Sequence, residues 1–122
     1  MENIRLDVST REREGLNVLD AVGEIDIFTA PVFKSAVYDV ISRGQKQLII
    51  NMEQVAYMDS SGFGALLGAT KQLRPAGGKV NLVKCNRPIS RMLRITRLDT
   101  IFGVYSSEDE AMDDAKQKVS AG

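Results

Sequence analysis

Two neighbouring runs decide the fold: Leu48-Ile49-Ile50-Asn51, and then Asp59-Ser60-Ser61-Gly62-Phe63-Gly64-Ala65-Leu66-Leu67. Leu48, Ile49 and Ile50 are apolar on both faces, the mark of a central strand covered on each side. The second run opens a helix over residues 61–74, which Pro75-Ala76-Gly77-Gly78 brings to an end. Between the two, Met52 to Asp59 reads as an eight-residue connection. That is longer than the roughly 2–6 residues of most strand-to-helix loops.

Working outward, Ile4, Leu6 and Val8 alternate with Arg5, Asp7 and Ser9, a strand with one wet face. Arg11-Glu12-Arg13-Glu14-Gly15 reads as a turn, and Leu16 to Val22 as the returning strand of a hairpin. Gly23 to Phe28 then forms a loop. Thr29 is placed to cap a helix that begins at Ala30-Pro31, buries Phe33, Val37, Val40 and Ile41, and stops near Gly44. Beyond the second helix, Val80, Leu82 and Val83 make a strand. Pro88 opens a third helix with Ile89, Met92, Leu93 and Thr96 inward, and Ile101 to Tyr105 make a last short strand. Ser107 and Glu110 form a capping box for a terminal helix that turns Ala111, Ala115 and Val119 inward. Strands separated by helices pair in parallel through right-handed crossovers, and the opening hairpin is antiparallel. The expectation is an α/β fold, one domain over residues 1–122, with a mixed sheet of four to five strands and about four helices packed on it.

The chain's 122 residues suit a single core, and 43% hydrophobic with 26% charged residues is the balance of a soluble globular protein. Sixteen basic residues offset sixteen acidic ones, so no net field draws the chain to nucleic acid or to an anionic membrane. Arg87, Arg91, Arg94 and Arg97 would share one helix face, ordinarily a solvated one. With no histidine, Ser-His-Asp and Cys-His catalysis and histidine-ligated metals are excluded. A single cysteine, Cys85, leaves no intramolecular disulfide and reads as a small core residue. Met1-Glu2-Asn3-Ile4-Arg5 has neither a basic leader nor an apolar core of a signal, which points to the cytoplasm.

Asp59-Ser60-Ser61-Gly62 stands at the mouth of the second helix. Asp and Ser both accept from the first free backbone N–H groups, so on their own these residues read as a helix cap. The helix beyond them adds a second reading. Phe63, Leu66, Leu67, Thr70 and Leu73 fall on one side and pack on the sheet, while Ser61, Ala65, Gly68 and Gln72, flanked by Gly64 and Ala69, fall on the other. Nothing between Asp59 and Lys71 is charged, where a surface helix ordinarily carries charge. The two glycines cost helix propensity, roughly 1 kcal/mol each. Such a face lets either a neighbouring helix of the same domain or another protein approach closely.

Tyr57-Met58-Asp59-Ser60-Ser61-Gly62-Phe63-Gly64-Ala65-Leu66-Leu67 resembles the signature of STAS domains, specifically of bacterial anti-sigma factor antagonists, which serve in stress response and sporulation. Gly23-Glu24-Ile25-Asp26 before Thr29-Ala30, Leu48-Ile49-Ile50-Asn51 and Gly77-Gly78-Lys79-Val80 agree with the family in order and spacing. Phe63 departs from the leucine common there, on the inner stripe, where it alters packing rather than chemistry. The resemblance implies a non-enzymatic partner switch. Its unmodified form would bind an anti-sigma factor that is itself a serine kinase, freeing a sigma factor. Phosphorylation of Ser60 by that kinase, using the kinase's ATP, would end the complex, and a PP2C-type phosphatase would reverse it. Carried over residue by residue, Ser60 is the phosphoacceptor. Asp59 and Ser61 lie in the contact surface, with Glu24 and Asp26 as further contacts; the small-residue face adds Gly62, Gly64, Ala65 and Gly68 to it, and Met58 reads either as packing or as part of that surface. No cofactor, nucleic acid or membrane is implied, and alone the chain is expected to be a monomer. The alternative within the family is a subunit of a stressosome-like or lipid-transport assembly. The enzyme motifs G-x-S-x-G and G-x-x-x-x-G-K-[ST] are not met around Ser60, Ser61 or Gly68.

Overall fold

Alternation at the start of the chain builds the hairpin. In the computed structural model, which describes residues 5–121, β1 (Leu6–Arg13) and β2 (Leu16–Ile25) pair antiparallel, from Arg13 opposite Leu16 to Leu6 opposite Gly23. Glu14 and Gly15 alone make the turn, at φ of 50° and 83°, the left-handed pair whose twist suits a two-residue hairpin. The strand therefore runs on through Arg11-Glu12-Arg13, where a turn was expected. Arg11 and Arg13 pair with Asp20, Glu108 and Asp109, so a polar stretch is a charged strand face. Ile4 and the side chain of Val119 lie outside the described residues.

The larger correction concerns the two segments read as loops. β2 continues to Ile25, and β3 spans Gln47–Met58, absorbing nearly all of the supposed eight-residue connection. The two run parallel from Val18 opposite Ile49 to Ile25 opposite Met58, with β3 gaining one residue on β2 after Asp20 and another after Gly23. Each extra residue turns the following side chains over. Met52, Val55 and Met58, spaced by three instead of two, consequently all face the same core. A strict period-2 pattern does not find them.

The remaining strands, β4 (Lys79–Val83) and β5 (Gly103–Tyr105), extend the sheet in parallel, in the order β1-β2-β3-β4-β5. Crossovers of one hand that always step in one direction put α1 (Ala30–Ser42), α2 (Ser60–Leu73) and α3 (Arg87–Ile95) on the same face. Phe33, Val37, Val40, Phe63, Leu66, Leu73, Ile89 and Leu93 pack there against Leu19, Leu48, Ile50 and Leu82. The other face receives α4 (Glu108–Ala121), whose Ala111, Met112 and Ala115 cover Leu16, Val18, Ile49 and Val83. No helix among the described residues is long and apolar enough to cross a membrane.

Several local expectations shift. Thr29 holds the position before α1 but does not cap it with its side chain. In α3, capped by Asn86, only Ile89 and Leu93 are buried, while Met92 and Thr96 are exposed. Arg97 lies past the end of α3 in the left-handed region (φ 63°), so only Arg87, Arg91 and Arg94 share a row. β5 is shorter than expected because Leu98–Thr100 forms a single tight turn. At α4, Ser107 Oγ accepts from the Glu110 N–H at 3.1 Å, and the Glu110 carboxylate accepts from the Ser107 and Ser106 hydroxyls.

Candidate functional site

The parallel pair β2–β3 ends where α2 begins, and this junction fixes Ser60. The Asp59 N–H donates to the Ile25 carbonyl at 3.1 Å, so the chain stays tied to the sheet until one residue before the serine. Asp59 is extended, and its carboxylate accepts from the Ser61 N–H at 2.8 Å. Its carbonyl accepts from Gly62 and Phe63. Asp59 is thus the helix cap, Ser60 the first helical residue and exposed, and Ser61 the second and half-buried. The hydroxyl at the positive end of α2 sits on a rigid platform rather than on a long loop.

Met58 and Gly62, expected in the contact surface, lie beneath it. Met58 is 7% exposed, and a Cβ at Gly62 would stand 2.4 Å from Met58 Cγ and 2.8 Å from Ile25 Cγ2. Their role is to let the first turn of α2 settle on the ends of β2 and β3.

The loop from β2 to α1 forms the other half of the site. Asp26 is buried, not a surface contact. Its Oδ1 accepts from the Phe28 N–H at 2.9 Å and the Thr29 N–H at 3.0 Å, and its other oxygen meets Arg5. Burial works to raise its pKa, but the Thr29 and Phe28 amides and the Arg5 guanidinium outweigh it and hold the carboxyl below its ordinary value. Thr29 Oγ1 donates to the Glu24 carbonyl at 2.8 Å and accepts from the Asp26 N–H at 2.9 Å, which closes the loop on itself. Glu24 is exposed. This internal bonding holds two large apolar side chains out in solvent: Ile27 is 68% and Phe28 78% exposed. Tyr57, opposite Glu24 on β3, is half-exposed too. Sequence reasoning passed over these three. The available signal was the pair Ile27-Phe28 itself, two bulky residues with no helical stripe or alternating strand to take them in.

A groove of about 500 Å³ runs between α1 and α2. Ile27, Pro31, Lys34 and Tyr38 form one wall; Ser61, Gly64, Ala65 and Gly68 form the other. The small residues of this face differ in what they meet. At Gly68 a Cβ would stand 2.7 Å from the Tyr38 hydroxyl, so that glycine accommodates the neighbouring helix. At Gly64 a Cβ would meet nothing within 4 Å, so that glycine opens onto solvent. Ala65 is largely covered, at 8% exposure. Elsewhere, burial pushes the Cys85 thiol up to about 11, so it is not a thiolate nucleophile near neutrality.

The STAS domain family model matches residues 7–111. An anti-sigma-B factor antagonist of Listeria monocytogenes is 32% identical over 108 residues, covering 88% of this chain and 94% of that protein. An anti-sigma F factor antagonist of Paenibacillus polymyxa is 26% identical over 89% of this chain and 94% of its own length. A crystal structure of an anti-sigma factor antagonist from Mycobacterium paratuberculosis superposes with a TM-score of 0.83 at 26% identity, over 91% of this chain and 94% of that one. With its signature serine at the mouth of α2, and with its mixed sheet, crossovers and near-full-length relatives all agreeing, the chain belongs to the STAS domain family.

Proposed function

We propose that this chain is an anti-sigma factor antagonist that works as a phosphorylation switch in the cytoplasm. Unmodified, it docks an anti-sigma factor through the first turns of α2, the open part of the α1–α2 groove, and the exposed Ile27, Phe28 and Tyr57. The partner is a serine kinase that brings its own ATP and phosphorylates Ser60, and a PP2C-type phosphatase removes the phosphate. The chain itself is a monomer without a cofactor or a catalytic step. The observation that carries this reading is that Ser60 is exposed at the first position of α2, next to Ser61, which shares the groove with the exposed Ile27.

Phosphoserine brings about −1.5 to −2 charges at pH 7. At the first turn of a helix those charges meet free N–H groups and the positive dipole end, so the folded domain tolerates them. The docked complex does not. Burying a dianion in a face with no charge between Asp59 and Lys71 costs several kcal/mol unless the partner supplies cations. Each 1.4 kcal/mol is about tenfold in affinity, enough to abolish a micromolar complex without refolding.

The test is calorimetric titration of the unmodified chain, Ser60→Ala and Ser60→Asp into the anti-sigma factor, with and without ATP. Ser60→Ala is expected to bind and to resist release by ATP. Ser60→Asp should keep its circular dichroism and bind about 100-fold or more weakly. Equal binding by Ser60→Asp would sink the mechanism.

A further inference from the structure

We propose that the outer face of α3 is a second docking site, for an acidic amphipathic helical segment of a partner protein. It rests on different residues from the Ser60 switch and operates whatever the state of Ser60.

With Ile89 and Leu93 turned into the core, α3 presents two adjacent rows to solvent. Arg87, Arg91 and Arg94 form one, and Pro88, Met92 and Ile95 the other, both at the four-then-three spacing of a helix face. Met92 is 45% and Ile95 67% exposed. The six residues line a hollow of about 760 Å³.

The arginines have little counter-charge near them in the sequence. Residues 86–107 hold four arginines and a single acid, Asp99, although the chain as a whole is neutral. Arg5, Arg11, Arg13 and Arg43 each meet a carboxylate, but among the described residues Arg87, Arg91, Arg94 and Arg97 form no ion pair. Of the row, only Arg94, in the last turn, is favoured by the helix dipole. Like charges at these spacings repel, the first turn of α3 lacks an acid, and Arg87 sits at its positive end, where a cation is disfavoured.

Charge and shape together select the occupant. The arginine row calls for carboxylates, and the row beside it calls for apolar side chains on the same ligand. A nucleic-acid backbone would satisfy the first and leave the second wet. A bilayer offers no fixed row of carboxylates, whereas the ridge of another helix seats between two side-chain rows. An acidic helix with an apolar row beside its carboxylates satisfies all three. Asn86 also ties the start of α3 to the end of β3 through its amide, which donates to the Val55 and Ala56 carbonyls at 3.2 and 3.1 Å. The site is therefore held firmly to the sheet.

The experiment titrates the ¹⁵N-labelled 122-residue chain with a synthetic acetylated helical peptide bearing one row of glutamates beside one row of leucines. Amide shifts are expected to saturate and to map to residues 87–97. Affinity should fall at least about tenfold in Arg91→Glu/Arg94→Glu and again in Met92→Ser/Ile95→Ser, and should hold in Ser60→Asp. Circular dichroism establishes that the variants fold, and since all four side chains are exposed, a loss of binding reads the face itself. The inference is overturned by no saturable shift, by shifts at residues 57–65 instead, or by equal binding of a peptide whose leucines are serines. It is equally overturned if phosphatidylglycerol vesicles, or a second copy of the chain in a concentration series, engage α3 while the peptide does not.

Discussion

The two faces of this sheet are finished in opposite ways. On the α4 side, charge closes the structure: Arg11 bridges Asp20 and Glu108, and Arg13 bridges Glu108 and Asp109, so hairpin and helix are laced together. On the α1–α2 side, the end that carries Ser60 is left open, with Ile27 and Phe28 in solvent and no charge along the first three turns of α2. A new charge among the ion pairs would be one of many. At the open end it would join only a few charges, Asp59 at the helix mouth, Lys34 across the groove and the Arg5–Asp26 pair, and it would stand in the face left for the partner.

The sharpest way to break that comparison is to remove the apolar part of the open end. Phe28→Ser should weaken anti-sigma factor binding by about 2 kcal/mol or more, as the loss of a central aromatic anchor does. Stability should change by no more than about 0.5 kcal/mol, because Phe28 is 78% exposed and the Arg5 guanidinium stands 5.8 Å from the centre of its ring. Titration and urea unfolding of the same variant check both halves. A large loss of stability with intact binding would mean that Phe28 belongs to the fold and not to the interface.

The open end was also the part least legible in the sequence. Helical stripes such as Phe33-Val37-Val40 and Phe63-Leu66-Leu73 were readable because the 3.6-residue period is uninterrupted, and so was the Asp59-Ser60 junction, because capping chemistry is local. The full length of β3 was not readable. Its two extra residues against β2 break the alternation that identifies a strand. Asp26 looked like a surface acid because the amides of Phe28 and Thr29 that enclose it come from a loop closing on itself, a non-repeating arrangement with no periodic signature. The same loop geometry exposes Ile27 and Phe28, so one unreadable feature concealed both.

The closed side should show itself in acid. Hydrogen bonds from Arg11 act first on Glu108; burial opposes them, and Arg13 and Asn51 add to them, bringing its pKa from 4.5 down to about 2. A carboxylate held lower in the folded chain than in the unfolded one stabilises above the unfolded value, and that contribution is lost as pH falls from about 4.5 to 2. Allowing for solvent screening of a partly exposed network, the loss is on the order of 1–2 kcal/mol. Urea unfolding between pH 6 and pH 2 should therefore show a weaker pH slope in Glu108→Gln than in the unmodified chain. Equal slopes would mean that the lacing holds α4 by shape alone.

The smallest expected effect isolates the purpose of one residue. Gly64 faces open solvent within α2, where a Cβ would meet nothing within 4 Å, so nothing in the fold requires a glycine. Replacing an exposed mid-helix glycine by alanine removes backbone entropy from the unfolded chain and should stabilise by about 0.5–1 kcal/mol. The same methyl group projects into the groove left for the partner, where it should weaken docking. Gly68→Ala is the control, since its Cβ would stand 2.7 Å from the Tyr38 hydroxyl and the stabilisation should be reduced or reversed. A Gly64→Ala chain that melts higher yet binds less would show a glycine kept against the interest of the fold, for the benefit of the complex. If it melts higher and binds equally well, the partner does not reach that turn, and the interface must end at Ser61.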